Sequence, residues 1–74
     1  MRKFSLASRI AEVRRELNQR NRVYPRLIAK RELRESEANL RMAIMLDVLD
    51  TLVWLREHEE EIVAFLTAKN DRAA

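Results

Sequence analysis

The string REHEEE, residues 56–61, sets the only histidine of the chain among carboxylates. Glu57 adjoins His58 and Glu61 follows one helical turn later, so metal ligation is the first chemistry to weigh. Helix bundles that hold two metals on carboxylates place a Glu three residues before a His. Here that position is Leu55, and the order of His58 and Glu61 is reversed. With one histidine and no cysteine, thiolate and histidine cages lack ligands within one chain. Neither a metal nor a cofactor is expected, and the run reads as a solvated acidic face near Arg9 and Arg14 of an antiparallel neighbour.

Trp54 is the second candidate. On a helix it shares the polar face with Asp47, Asp50, Thr51, His58 and Glu61, and Leu40 and Phe65 fall close to the same line. A tryptophan on a polar face is a common interface anchor, since it offers large contact area at little entropic cost. The plainer alternative is that a neighbouring helix or a second subunit covers it. Trp54, Asp47, Asp50 and His58 are therefore the expected partner-binding residues.

The third set is basic. Arg14, Arg15, Arg20, Arg22, Arg26, Lys30, Arg31 and Arg34 surround Tyr24, whose ring could stack on a base or a nucleotide. Phosphate contacts by Arg20, Arg22, Arg26, Lys30 and Arg31 would give sequence-independent, salt-sensitive binding. Read by type alone, the arginines are spread around the helix, and no zinc finger or glycine-bearing helix-turn-helix accompanies them. Catalysis has less support still. There is no glycine for a phosphate loop, no cysteine nucleophile and no second histidine for a relay. A non-enzymatic protein is expected.

These residues must be positioned by helices, because a chain without glycine and with one proline favours helix almost throughout. Leu6, Ile10, Val13 and Leu17 lie on one face, and Ser5 is a suitable N-cap. Tyr24 and Ile28 continue the stripe past Pro25, with Leu27 beside it. Proline costs a helix interior ~3 kcal/mol, and the residue before it is biased away from helix. A break or strong kink is thus expected at Arg22 to Tyr24, with the segment bent so that Tyr24 and Leu27 cap one end of a bundle. Arg31 to Ser36 should form the connection, Ser36 capping a second helix that runs to about Lys69.

The second helix is too apolar for one neighbour. Met45, Val48, Leu52, Leu55, Ile62 and Leu66 form a heptad-like stripe, and Met42, Leu46, Leu49, Val53 and Val63 form another beside it. At ~100° per residue the apolar arc of residues 42–55 spans roughly 200°, whereas one packed neighbour needs little more than ~100°. The chain is also short, at 74 residues, for burying a self-sufficient core. With disulfides excluded, oligomerisation is the remaining source of stability, and a homodimer is expected.

Charge divides the chain in two. Residues 1–34 carry eleven Lys/Arg against three Glu, net +8, and residues 35–74 carry four against nine acids, net −5. Either the basic half meets an anionic partner, or two antiparallel helices neutralise each other. No run approaches the roughly 20 apolar residues of a membrane span, since Asp47 and Asp50 interrupt the Met42–Leu55 stretch. A cytoplasmic protein without a membrane segment is expected.

The strings EVRREL (Glu12–Leu17), RVYPRLIA (Arg22–Ala29) and AIMLDVLDTL (Ala43–Leu52) resemble a group of small helical proteins encoded in bacteriophages and prophages. The likeness covers about residues 6–55, and its VYP element is the most distinctive part. Members often carry glycine after that proline, where this chain has AKRELRES, so its turn must be made differently. The resemblance implies a phage or prophage origin, a site in the cytoplasm of a bacterial host, and action by binding a host protein or capturing a nucleic acid or nucleotide.

The expected architecture is all-α: one domain over 1–74 with frayed ends at about 1–4 and 70–74. It is an antiparallel helical hairpin, its first helix kinked or broken near Pro25, pairing into a dimeric bundle. Leu6, Ile10, Val13, Leu17, Tyr24 and Ile28 should face the core from the first half, and Met45, Val48, Leu49, Leu52 and Leu55 from the second. The expected function is binding of a protein partner, with nucleic acid or an anionic nucleotide at the basic segment as the alternative.

Overall fold

A computed structural model describes residues 4–73 and contains three helices: α1 (Leu6–Ala29), α2 (Glu35–Glu57) and α3 (Glu59–Ala73). The expectations for residues 1–3 and 74 lie outside the described residues. Ser5 is the N-cap of α1, its hydroxyl accepting from the Ser8 N–H at 3.1 Å. That bond satisfies one of the donors a helix start leaves free.

α1 is one continuous helix with Pro25 inside it, so the break expected at Arg22–Tyr24 does not occur. The physical reason is the preserved stripe. Leu6, Ile10 and Leu17 are buried, and Val13, Tyr24 and Ile28 are half-buried along the same face. Tyr24, Pro25 and Ile28 line one groove with Ala38, Asn39 and Met42 of α2. Packing on both sides of the proline holds the helix together despite the hydrogen bond that Pro25 cannot donate to Asn21.

The turn answers how a chain without glycine reverses direction. Arg31 adopts φ 61°, the left-handed region. Its N–H donates to the Ile28 carbonyl at 3.0 Å, and the Glu32 N–H reaches back to Leu27 at 2.9 Å. This is the Schellman pattern, which satisfies the last carbonyls of α1. Leu33 follows and is buried, anchoring the turn. Arg34, extended at φ −74°, ψ 141°, then caps α2 without a side-chain bond. Ser36 is therefore not the cap, as the helix has already begun at Glu35. Glu35 and Glu37 occupy its first turn, where the helix dipole favours carboxylates.

α1 and α2 pack antiparallel. Arg20 lies opposite Arg41, its Nη1 donating to the Arg41 carbonyl at 3.3 Å, while Tyr24 lies opposite Ala38. Ile10, at 1% exposure, is the most fully buried side chain, with Leu6 and Leu17 buried along the same stripe and Leu33 and Ala38 buried at the turn end of the seam. From α2, Met45, Leu49, Leu52 and Leu55 are only half-buried, and Val48 is 42% exposed rather than in the core. One helix cannot cover an arc near 200°, so apolar side chains emerge on both flanks of α1. Leu46 emerges on one side, and Ile44 and Val48 on the other.

The long second helix is interrupted at His58, with φ −109° and ψ 10°. α2 and α3 remain nearly in line, because only a near-collinear arrangement of residues 35–73 reaches the 60 Å long axis at about 1.5 Å per residue. Among the described helices α3 meets only α2, and α1 stops short of it. Its helix continues through Asn70 to Ala73, where fraying is expected from the sequence.

Candidate functional site

α2 carries its candidate residues on the side turned away from α1. Asp47, Asp50 and Trp54 are exposed, and His58 is half-buried at the interruption. The four share a face because they follow one another at intervals of three or four residues. Trp54 is 54% exposed, so α1 does not cover it. Its ring stacks on His58, with centroids 4.4 Å apart and planes inclined by 22°. His58 Nδ1 lies 2.8 Å from the Trp54 carbonyl oxygen, which also accepts the His58 backbone N–H at 3.1 Å. A carbonyl only accepts, so that contact requires the proton on Nδ1.

Around this pair the surface is acidic and apolar together. Thr51 donates its hydroxyl to the Asp47 carbonyl at 3.1 Å, leaving both aspartate carboxylates turned to solvent. Leu40 and Phe65, the latter 68% exposed, extend the same line along the rod. Among the described residues no three of His, Cys, Asp and Glu converge as metal ligands. His58, Glu57 and Glu61 sit at the end of α2 and the start of α3 without enclosing a point between them.

The six residues expected to bind an anion are not brought together. Arg20 is turned into the seam, where Nε donates to Glu16 at 2.9 Å and the guanidinium stands 5.9 Å from the Tyr24 ring centroid. Tyr24 is half-buried beside it and lines the groove between α1 and α2. Arg22, Arg26 and Lys30 point outward instead, and Arg31 is spent on the turn. Arg15 belongs to the basic set but not to those six, and it precedes Arg22 by seven residues and shares its side of the helix. The signal for that shared side is the seven-residue and four-residue spacing of Arg15, Arg22 and Arg26.

Nor do α1 and α2 neutralise each other through ion pairs among the described residues. The ion pairs Arg15–Glu12 and Arg20–Glu16 both lie within α1, and none joins α1 to α2 among the described residues. Arg9 and Arg14 make none with the acidic run either. The acids of α2 flank Trp54 or the N-terminal turn, away from the seam.

No family model matches this chain, and no curated protein or solved structure matches it. No helix among the described residues is long and apolar enough to cross a membrane.

Proposed function

We propose that this chain is a non-enzymatic interaction protein that binds a protein partner through the Trp54 face of α2. One observation carries the proposal: a large aromatic side chain stands more than half exposed on a rigid helix, its ring already ordered by stacking on His58. An anchor fixed before binding loses little conformational entropy on contact, which is how interface tryptophans contribute most. Asp47 and Asp50 beside it would select a partner with basic groups at the rim.

The protein acts as a homodimer. Supporting this, Ile44, Val48, Leu46 and Leu66 leave apolar surface open on both flanks of the hairpin and along α3. Two hairpins paired along the Ile44–Val48 flank would cover that side as a four-helix bundle and leave the Trp54 face open. Pro25 bends α1 slightly toward the turn end of that bundle. The resemblance to small phage and prophage proteins supports a mobile-element origin and a partner in the cytoplasm of a bacterial host.

Capture from bacterial lysate tests the function. The immobilised chain should retain one protein at high stoichiometry after nuclease treatment, and Trp54→Ala should lose it while keeping its helical circular dichroism. Equal retention by Trp54→Ala would refute the assignment.

A further inference from the structure

We propose that the outer strip of α1, formed by Arg15, Arg22, Arg26 and Lys30, binds the phosphate backbone of a nucleic-acid duplex. The strip lies on the other helix from the Trp54 face and is independent of it.

Its first support is position. At about 100° per residue, Arg15 and Arg26 fall within roughly 40° of Arg22, and Lys30 within roughly 80°. The buried Leu17 lies about 140° away, so the strip is turned from the core, and all four cations are exposed. Arg15 to Lys30 covers about 22 Å of helix axis, comparable to six or seven nucleotide steps of one strand.

The second support is the absence of neutralising groups. No Asp or Glu occurs between Glu16 and Glu32 in the sequence. Glu16 is engaged by Arg20, and Arg22, Arg26 and Lys30 have no carboxylate partner among the described residues. Arg15 does pair with Glu12 at 2.9 Å, but both side chains are mostly exposed, and such pairs are readily exchanged. Asp47 and Asp50 of α2 share the Trp54 face, away from the strip, and Glu35 and Glu37 lie beyond its Lys30 end in the first turn of α2. The field of the strip is therefore least offset around Arg22 and Arg26.

The third support is what accompanies the cations. Asn18 and Gln19 are exposed among them and can donate to phosphate oxygens, and no exposed aromatic side chain of α1 stands on the strip, Val23 at its edge being the nearest exposed apolar one. A protein partner would lack an anchor there, whereas a polyanion requires none. Tyr24 is half-buried and about 160° round the helix from Arg22, so the strip itself carries no ring for bases to stack on, and a duplex backbone fits it better than an unpaired strand.

The test is fluorescence anisotropy of labelled duplexes of unrelated sequence, titrated with the full chain at 50 and 200 mM salt. Four phosphate contacts should weaken binding about 100-fold across that range, equally for every sequence. R22Q/R26Q should bind more than tenfold more weakly at 50 mM salt and lower the log–log salt slope by about two. Arg20→Gln should change affinity less than twofold. Circular dichroism confirms that each variant is folded, as expected for exposed positions. Undiminished binding by R22Q/R26Q, or no binding at 50 mM salt, overturns the proposal. Salt-sensitive self-association of the free chain without duplex binding also overturns it, assigning the strip to the acidic face of a second copy. Loss of lysate capture in Trp54→Ala with duplex affinity intact separates this site from the one on α2.

Discussion

Trp54 and His58 are joined twice: their rings stack 4.4 Å apart, and His58 Nδ1 meets the Trp54 carbonyl oxygen at 2.8 Å. The second contact gives His58 a local alternative to regular helix, and the chain is interrupted at that residue. A side chain bonded to a nearby backbone group competes with the helix ladder in this way. The same pair thus orders the exposed indole and divides the long helix.

His58→Ala should therefore fuse α2 and α3 into one helix, with a stability gain of up to about 0.5 kcal/mol from alanine's higher propensity. Far-UV circular dichroism should show equal or greater helicity. The emission of Trp54, the only tryptophan, should change as its ring loses the stack. Unchanged emission would mean the stack does not persist in solution.

Arg31→Gly should raise stability by about 1 kcal/mol, because arginine carries a Cβ penalty at φ 61° that glycine avoids. Urea denaturation would read it as a higher midpoint at unchanged slope. A lower midpoint would mean that unfolded-state entropy or a lost contact outweighs the relief.

Pro25→Ala should keep the helical content and raise the melting temperature, since residue 25 could then donate to the Asn21 carbonyl within a continuous α1. Loss of the fold would refute the view that packing holds α1 together in spite of the proline.

Ile10→Ala should cost about 2–5 kcal/mol, the range for truncating a fully buried aliphatic side chain. Val48→Asp, at an exposed position, should leave the hairpin helical but shift sedimentation from dimer toward monomer. A monomeric parent chain would remove the dimer from the proposed function.

Much of the fold is legible in the sequence, and the exceptions have physical causes. The Leu6–Ile10–Leu17 stripe, the Ser5 cap and the all-helical content follow from spacing and residue type. The break at Pro25 does not occur because local proline chemistry was weighed without the packing of Tyr24 and Ile28 that opposes it. Ser36 reads as a cap by type, but the buried Leu33 fixes where the turn ends. The interruption at His58 depends on a bond between a ring and a carbonyl, and no pattern of apolar residues encodes that. At the candidate sites, Trp54 stands exposed as its polar neighbours suggest. Arg20 and Tyr24 turn inward for reasons of phase that a list of basic residues hides.

α3 has a consequence for dynamics. It is a 15-residue helix that leans only on the end of α2, and isolated helices of that length are marginal in water. Its amide protons should exchange with solvent far sooner than those around Ile10, even while the hairpin stays closed. Whatever seats on Ile62, Val63 and Leu66 would slow that exchange, making α3 a built-in gauge of occupancy.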